Sequence, residues 1–135
     1  ADIRDVYLIA GFKDINSVLF TQDLQRFRET FNTIATLDNM TAPGFSTGLV
    51  TAHIPSIPFA ELGDCNVVIV GPPLMMRFAS EACIKNGADP DNMWLSFERK
   101  MSCAVGKCGH CKINETYVCL EGPIFRYTKA QELLD

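Results

Sequence analysis

Four cysteines close together near the C-terminal end of the chain are the residues best able to do chemistry. They are Cys103, Cys108, Cys111 and Cys119, with the spacing C-x4-C-x2-C-x7-C. Thiolates held this close repel one another unless a cation lies between them, so the pattern predicts a metal site. A gap of four followed by a gap of two is the plant-type spacing for a [2Fe–2S] cluster. Gly106 and Gly109 suit such a loop, because glycine allows tight turns that bring amide N–H groups towards a cluster.

A structural zinc site is the main alternative for these cysteines, and the other is a set of buried cysteines that bind no metal. Zinc sites usually pair two C-x2-C knuckles, or combine one knuckle with histidines. This segment has a single C-x2-C, and we expect His110, which lies between two of the cysteines, to point outward. The zinc reading corresponds to a zinc-stabilised interaction module without catalysis. Cys65 and Cys83 fall outside the spacing, and Cys83 is expected in the core.

Length and composition limit the classes of protein that remain. A chain of 135 residues with 47% hydrophobic residues is one domain of ordinary size, or a domain with a small appendage. A net charge of −4 with mixed signs argues against nucleic-acid binding. The longest apolar run, 67–76, is interrupted by glycine and two prolines, so we expect no membrane span. Clustered cysteines without a secretion signal predict a metal site in a reducing compartment, hence a cytoplasmic location.

Strands and helices are predicted to alternate before the cysteines. Strands are expected at 5–10, 32–37, 66–70 and 93–97, and helices at 16–31, 49–54, 74–86 and, after the cysteines, up to 134. Within these helices Thr21 and Thr128 are expected as N-caps. The alternation predicts an α/β fold, a parallel sheet with helices on both faces, in residues 1–100. Residues 101–135 are expected to form a small cluster-binding region, with 93–97 as the last strand.

Two places at predicted strand ends are candidate nucleotide contacts. Gly71, Pro72 and Pro73 follow a buried strand at its carboxyl end, where α/β sheets bind ligands. A rigid strand-to-helix turn with proline in the first helical turn explains them equally well. Asp38 ends another predicted strand and is either a ribose contact or an ordinary loop aspartate. The sequence contains no G-x-G-x-x-G, the usual phosphate-binding turn.

Taken together, four segments resemble the ferredoxin–NADP reductase-like FAD/NAD subunits that carry a C-terminal [2Fe–2S] loop. The segments are 70–75, 97–101, 103–111 and 117–125. Members of this family include the B subunit of anaerobic sulfite reductase, the gamma subunit of sulfhydrogenases and the electron-transfer subunit of dihydroorotate dehydrogenase B. The tail 122–131, with 11–13 and 36–38, is most similar to the sulfite reductase subunit.

The resemblance implies a ferredoxin reductase-like NAD-binding domain that lacks its N-terminal part. The flavin-binding barrel and the glycine-rich first strand, loop and helix would both be missing, so we expect no FAD binding and weak NAD(P)H binding by this chain alone. The residues implied as cluster ligands are Cys103, Cys108, Cys111 and Cys119. Gly71, Pro72 and Pro73 are implied on the nicotinamide side, Gly11 and Asp38 on the adenosine side, and no catalytic residue is implied.

In the intact family members the implied electron path runs from NAD(P)H through FAD and the [2Fe–2S] cluster to a partner catalytic subunit. For this chain the resemblance implies a sirohaem sulfite reductase as that partner, with a hydrogenase or a dihydroorotate dehydrogenase as alternatives. The chain alone is expected to be inactive as an enzyme. A missing central strand would leave two strand edges unpaired, which predicts dimerisation of the chain or direct re-pairing of those edges.

Overall fold

The computed structural model describes residues 5–134, and their contacts divide the chain into two compact units. The first unit is Ala1–Pro58 and the second is Phe59–Asp135. The cysteine-rich segment therefore belongs to the same unit as the second half of the α/β region. The predicted domain boundary at residue 100 remains a prediction.

The first unit is built on a parallel three-stranded sheet in the order β1-β2-β3. Its elements are β1 (Tyr7–Phe12), a 3₁₀ turn (Ile15–Ser17), α1 (Thr21–Thr30), β2 (Asn32–Leu37), β3 (Ser46–Thr47), α2 (Val50–His53) and a second 3₁₀ turn (Ile54–Ser56). The predicted strand at 32–37 is confirmed to the residue. The core of this unit includes Leu24, Ala35 and Leu37.

The start of α1 differs from the prediction. The expected helix over 16–31 is divided into the first 3₁₀ turn and α1. Thr21 is the first helical residue rather than the cap, and Phe20 holds the N-cap position in the left-handed conformation, with φ 54°. Residues other than glycine rarely adopt this conformation, so nothing in the sequence signals it.

Helix α2 packs against the end of β1 at a position where a side chain would not fit. A Cβ on Gly11 would lie 2.5 Å from Cγ1 of Val50, a distance that real Cβ atoms do not show. The absence of a side chain at Gly11 therefore allows the close approach of α2. This packing role is independent of any nucleotide contact at the same residue.

The second unit contains a three-stranded sheet in the order β4-β5-β8 and a separate two-stranded hairpin. Its elements are α3 (Phe59–Leu62), β4 (Val67–Val70), α4 (Pro73–Lys85), a 3₁₀ turn (Pro90–Asn92), β5 (Met93–Ser96), β6 (Lys112–Ile113), β7 (Thr116–Tyr117), α5 (Val118–Glu121), β8 (Ile124–Arg126) and α6 (Tyr127–Leu133). Strands β4 and β5 are parallel, and β8 is antiparallel to β5.

Two predictions are wrong in this unit. The strand at 93–97 is not the last, because β6, β7 and β8 follow it. These strands are two or three residues long and exist through pairing with a partner, so they carry no periodic pattern. The final helix begins at Tyr127 with Arg126 at the N-cap, so Thr128 is not its cap.

The predicted end of α4 is confirmed, since Gly87 follows the Asn86 C-cap with φ 107°.

The two faces of the β4-β5-β8 sheet differ in burial. Ile69, Leu95 and Phe125 lie on the buried face, while α4 contacts β4 and α6 contacts β5. On the other face Val68 and Val70 of β4 are 62% and 57% exposed. Alternating side chains along a strand produce this difference, since neighbouring residues point to opposite faces.

The parallel strand pairs with intervening helices confirm the predicted α/β class. Strands β1 and β4 each lie at an edge of their own sheet. Dimerisation of the chain through such an edge remains a prediction. No helix in the described part of the chain is long and apolar enough to cross a bilayer.

We expect Gly11→Ala to lower the free energy of unfolding by about 1–3 kcal/mol, because the added Cβ overlaps Val50 in a packed contact. Urea unfolding followed by circular dichroism measures the loss. Val50→Ala removes the overlapping atom and is the matched control. The double variant should therefore show a much smaller effect of Gly11→Ala. An equal cost of Gly11→Ala in both backgrounds would contradict this packing role.

Candidate metal centre

The segment that carries the four cysteines leaves the sheet and returns to it at one place. Leu95 of β5 pairs with Phe125 of β8, and the amide of Phe97 donates to the carbonyl of Pro123 at 2.9 Å. The rings of Phe97 and Phe125 meet edge to face with their centres 5.7 Å apart. These contacts join the two ends of residues 98–123, which brings a long stretch of chain into a closed loop.

The β6–β7 hairpin turns the last cysteine back towards the other three. Asn114 lies in its two-residue turn with φ 52°, a conformation that asparagine tolerates better than most residues. The Lys112 ammonium lies 3.0 Å from the Glu115 carboxylate, across the turn. Helix α5 follows directly, and the amide of Cys119 donates to Sγ of Cys111 at 3.4 Å. The hairpin therefore brings together Cys111 and Cys119, the two cysteines that seven residues separate in the sequence.

Backbone amides in the loop between Cys103 and Cys108 point towards sulfur. Three residues of the wider loop have left-handed backbone: Ala104 with φ 58°, Gly106 with φ 74° and Gly109 with φ 77°. The amides of Val105, Lys107 and Cys108 all donate to Sγ of Cys103, at 3.4, 3.3 and 3.4 Å. Successive N–H groups that converge in this way form a concave site for an anion, as at many iron–sulfur centres.

The four cysteines form two pairs. Cys103 and Cys108, here called the outer pair, are close enough for their side chains to interact, and so are Cys111 and Cys119, the inner pair; Cys103 also lies near enough to Cys119 to act on it electrostatically. Cys108 is exposed and Cys111 is buried, while Cys103 and Cys119 are half-buried. Within residues 5–134 no group of three or more His, Cys, Asp or Glu side chains is arranged to hold one metal ion.

The same amides change the acidity of the thiols. Hydrogen bonds from the amides of Val105, Cys108 and Lys107 lower the pKa of Cys103 to about 6. The amide of Cys119 lowers the pKa of Cys111. Burial raises the pKa of Cys119, and its contact with Cys111 adds to that effect, while the Gly106 amide opposes it. At neutral pH Cys103 is therefore largely a thiolate, the form of cysteine that binds metal.

This donor set fits a [2Fe–2S] cluster, which takes four cysteine thiolates and is stabilised by N–H bonds to sulfur. His110 is not directed at the cysteines. Its Nδ1 lies 2.6 Å from Oγ of Ser102 and its side chain is exposed, as expected from the sequence. The Ser102–His110 contact joins the residue before Cys103 to the residue before Cys111.

Sequence reasoning missed part of this site. Gly106 and Gly109 signalled the turns, but nothing marked Ala104 as left-handed or Ser102 as a partner of His110. Leu120 was also missed, although a Cβ on Gly106 would overlap its Cδ1, so Leu120 covers the loop at that point. Leu120 remains 61% exposed, and only its hydrophobicity and position beside Cys119 distinguish it.

The candidate nucleotide residues fall in two places. In the first unit Gly11 and Asp38 lie at the same edge of the sheet, where the Asp38 amide donates to the carbonyl of Phe12 at 3.1 Å. In the second unit Gly71 follows β4, Pro72 is the N-cap of α4 and Pro73 is its first residue. A Cβ on Gly71 would overlap the terminal methyl of Met75, which is the end of a flexible side chain and would have to move. Nucleotide contacts at these five residues remain a prediction.

Comparison with known families supports the cluster. The profile of the iron–sulfur cluster binding domain of dihydroorotate dehydrogenase B matches residues 98–131, a range that contains all four cysteines. The match confirms the iron–sulfur part of the predicted cofactor set. The match does not by itself identify individual ligands, and the four cysteines are proposed ligands.

Similar proteins extend the resemblance to nearly the whole chain. The gamma subunit of sulfhydrogenase 2 from Pyrococcus furiosus is 30% identical over 144 aligned positions, covering 93% of this chain and 50% of that subunit. The gamma subunit of sulfhydrogenase 1 from the same organism is 43% identical over 65 residues, covering 45% of this chain and 22% of that subunit. The electron-transfer subunit of dihydroorotate dehydrogenase B (NAD(+)) from Bacillus velezensis is 27% identical, covering 96% and 47%.

A solved structure shows the same fold. The NADH-dependent reduced ferredoxin-NADP oxidoreductase, studied for flavin-based electron bifurcation, superposes with a TM-score of 0.65 at 19% identity, over 96% of this chain and 46% of that one. Together these matches confirm the predicted resemblance to ferredoxin–NADP reductase-like electron-transfer subunits with an iron–sulfur segment. The chain spans about half the length of the relatives that it matches over most of its own length.

We expect Cys103 of the metal-free chain to react with iodoacetamide with a pH midpoint near 6, because the amides of the loop stabilise its thiolate. Mass spectrometry of tryptic peptides after short pulses across pH 5–10 measures each cysteine separately. Cys83 serves as the internal control, since burial raises its pKa to about 11. A Cys103 midpoint near the ordinary thiol value of 9 would contradict the amide contacts.

Proposed function

We propose that this chain is the cluster-holding, electron-releasing part of an NAD(P)H-dependent flavin and iron–sulfur electron-transfer subunit. The observation that carries the proposal is the arrangement of four cysteines in two pairs, with amides donating to sulfur, inside a range matched by an iron–sulfur cluster binding domain. The activity belongs to the complete complex, and the chain alone is expected to be inactive.

The proposed ligands are Cys103, Cys108, Cys111 and Cys119. When bound, a [2Fe–2S] cluster supplies a site that takes up and releases one electron at a time. The chain would position the cluster and adjust its reduction potential. The loop amides offset the negative charge of the thiolates, and Leu120 covers the loop at Gly106.

The proposed nucleotide contacts rest on the resemblance to the ferredoxin–NADP reductase-like subunits and on the position of the residues at the ends of strands. Gly71, Pro72 and Pro73 stand at the carboxyl end of β4, and Gly11 and Asp38 at the carboxyl ends of β1 and β2. These are the ends at which α/β sheets bind ligands. By this proposal the residues of each unit are separate candidate contacts for NAD(P)H, while FAD is bound mainly by the part of the relatives that this chain does not cover.

For the partner, we propose a sirohaem sulfite reductase subunit in a cytoplasmic complex, on the basis of the sequence resemblance of the tail 122–131 to the sulfite reductase branch. A hydrogenase is the second candidate, favoured by the two sulfhydrogenase gamma subunits among the relatives. A dihydroorotate dehydrogenase is the third, favoured by the profile over residues 98–131.

Reconstitution tests the cluster. We expect the chain, treated anaerobically with ferrous iron and sulfide, to gain about two irons and two sulfides and a visible absorption that dithionite bleaches. Cys111→Ala should abolish this uptake, since it removes a proposed buried ligand. Cys65→Ser, outside the spacing, should leave it unchanged. A chain that takes up one zinc and no iron would support the zinc module instead.

Isolation of the native complex tests the partner. We expect the full-length protein, purified anaerobically from its own cells, to bring down a subunit with the absorption spectrum of sirohaem. Nickel in the complex would favour the hydrogenase candidate, and dihydroorotate-dependent reduction of the complex would favour the third. Recovery of the protein without any redox subunit would contradict an electron-transfer role.

A further inference from the structure

Asp38 in the first unit has a fixed backbone and a side chain without a partner. It follows Leu37, the last residue of β2, and its amide donates to the carbonyl of Phe12 at 3.1 Å. The side chain is half-buried, and within residues 5–134 no group forms a hydrogen bond or an ion pair with its carboxylate. Because an ionised carboxylate only accepts hydrogen bonds, its two oxygens are available to a ligand that donates them.

The loop that follows Asp38 is attached to β2 at its far end. The amide of Gly48 donates to the carbonyl of Leu37 at 2.8 Å. The hydroxyl of Thr36, a fully buried residue, donates to the carbonyl of Gly48. These bonds hold the end of the loop against the strand from which it starts. The position of Asp38 beside the end of β1 is therefore set by the sheet before any ligand arrives.

The two arginines in the described part of the first unit have other partners. Arg28 donates to the carbonyl of Gly44 at 2.6 Å, and its guanidinium lies 5.3 Å from the centre of the Phe45 ring. Arg26 lies 3.7 Å from the carboxylate of Asp23, one turn away on α1. An arginine is the side chain that accommodates the 2′-phosphate of NADP in many nucleotide folds. Neither arginine is in place to do so beside Asp38.

Lys13 is the one cation next to Asp38 in the register of this sheet. Phe12 pairs with Leu37, so Lys13 and Asp38 each stand one residue beyond the last pair. Lys13 is exposed and forms no ion pair with a described residue. The two side chains together carry no net charge, whereas a phosphate monoester carries about −1.5 to −2 at neutral pH. The edge thus offers a 2′-phosphate no net attraction.

We propose that Asp38 makes this protein selective for NADH over NADPH. The inference rests on the proposed function, in which NAD(P)H is the electron donor. In NADH the adenosine ribose has a 2′-hydroxyl, which donates to the Asp38 carboxylate. In NADPH a phosphate replaces that hydroxyl, so the donated hydrogen is lost and two negative groups face each other. Hydride release from the nicotinamide is the same for both nucleotides, so the discrimination lies in binding.

Steady-state kinetics of the full-length, flavin-loaded protein with ferricyanide as electron acceptor test this selectivity. We expect kcat/KM for NADH to exceed that for NADPH about 100-fold, because like charges set against each other cost several kcal/mol. Asp38→Asn keeps the size of the side chain and removes its charge. It should bring the ratio to within about 10-fold, mainly by lowering KM for NADPH. A wild-type ratio near one, a preference for NADPH, or an unchanged ratio in the variant would overturn the proposal.

Glu29→Gln is the matched control, since it changes the net charge by the same amount. Glu29 is exposed near the end of α1, just before β2 begins, whereas Asp38 follows the end of β2. A strand of six residues separates the two positions by about 20 Å. We expect Glu29→Gln to leave the NADH to NADPH ratio unchanged. A change equal to that of Asp38→Asn would show an effect of overall charge and would overturn the role of Asp38.

Calorimetric titration of the same full-length protein gives a readout that does not depend on turnover. The probes are adenosine 5′-diphosphoribose and its 2′-phosphate, which lack the nicotinamide ring. We expect the unphosphorylated probe to bind about 100-fold more tightly, and the two affinities to converge in Asp38→Asn. Tighter binding of the 2′-phosphate would overturn the selectivity and leave the proposed function intact. A protein that binds neither probe and oxidises neither nucleotide would contradict the proposed function itself.

Discussion

The candidate centre depends on one interaction, the donation of backbone N–H groups to cysteine sulfur. Thiolates packed together are unfavourable without compensation, and the loop after Cys103 provides three amides to a single sulfur. That direction of the amides requires left-handed backbone at Ala104 and Gly106, and it also requires that the ends of the loop stay fixed. The pairing of β5 with β8 fixes them. The sheet of the second unit is thus part of the metal centre, although it contributes no ligand.

The sequence predicted the parts of this protein whose signal is local. Spacing alone gave the four cysteines, and apolar β-branched runs gave β2 and β4. Strand β8 escaped prediction because its three residues become a strand only by pairing with β5, which is distant in sequence. Ala104 escaped because alanine in the left-handed region is unfavourable, roughly 1–2 kcal/mol, and is held there by the surrounding loop. Both failures arise where tertiary contacts override local preference.

Glycine at a predicted binding position has more than one physical explanation in this chain. Gly71 was singled out for its place at a strand end and Gly11 by the family resemblance. A Cβ on Gly11 would overlap Cγ1 of Val50, whereas a Cβ on Gly71 would meet only the terminal methyl of Met75, the end of a flexible side chain that can move. Packing alone would therefore account for Gly11, and it constrains Gly71 less strongly. A nucleotide contact and a packing requirement at the same glycine are compatible. Binding measurements on variants at these glycines need a stability control.

The exposed sulfur of Cys108 has a consequence for durability in air. As a proposed ligand that is open to water, Cys108 would give an electron a short path out, and it would give dioxygen and peroxide the same short path in. Oxidation of an exposed thiolate converts it into a sulfenic or higher acid, which is no longer the thiolate that binds iron. The lifetime of such a centre is then governed by whatever covers that single atom, whether a reducing medium or a bound partner. Anaerobic handling and prompt assembly with a partner would protect the same point on the surface.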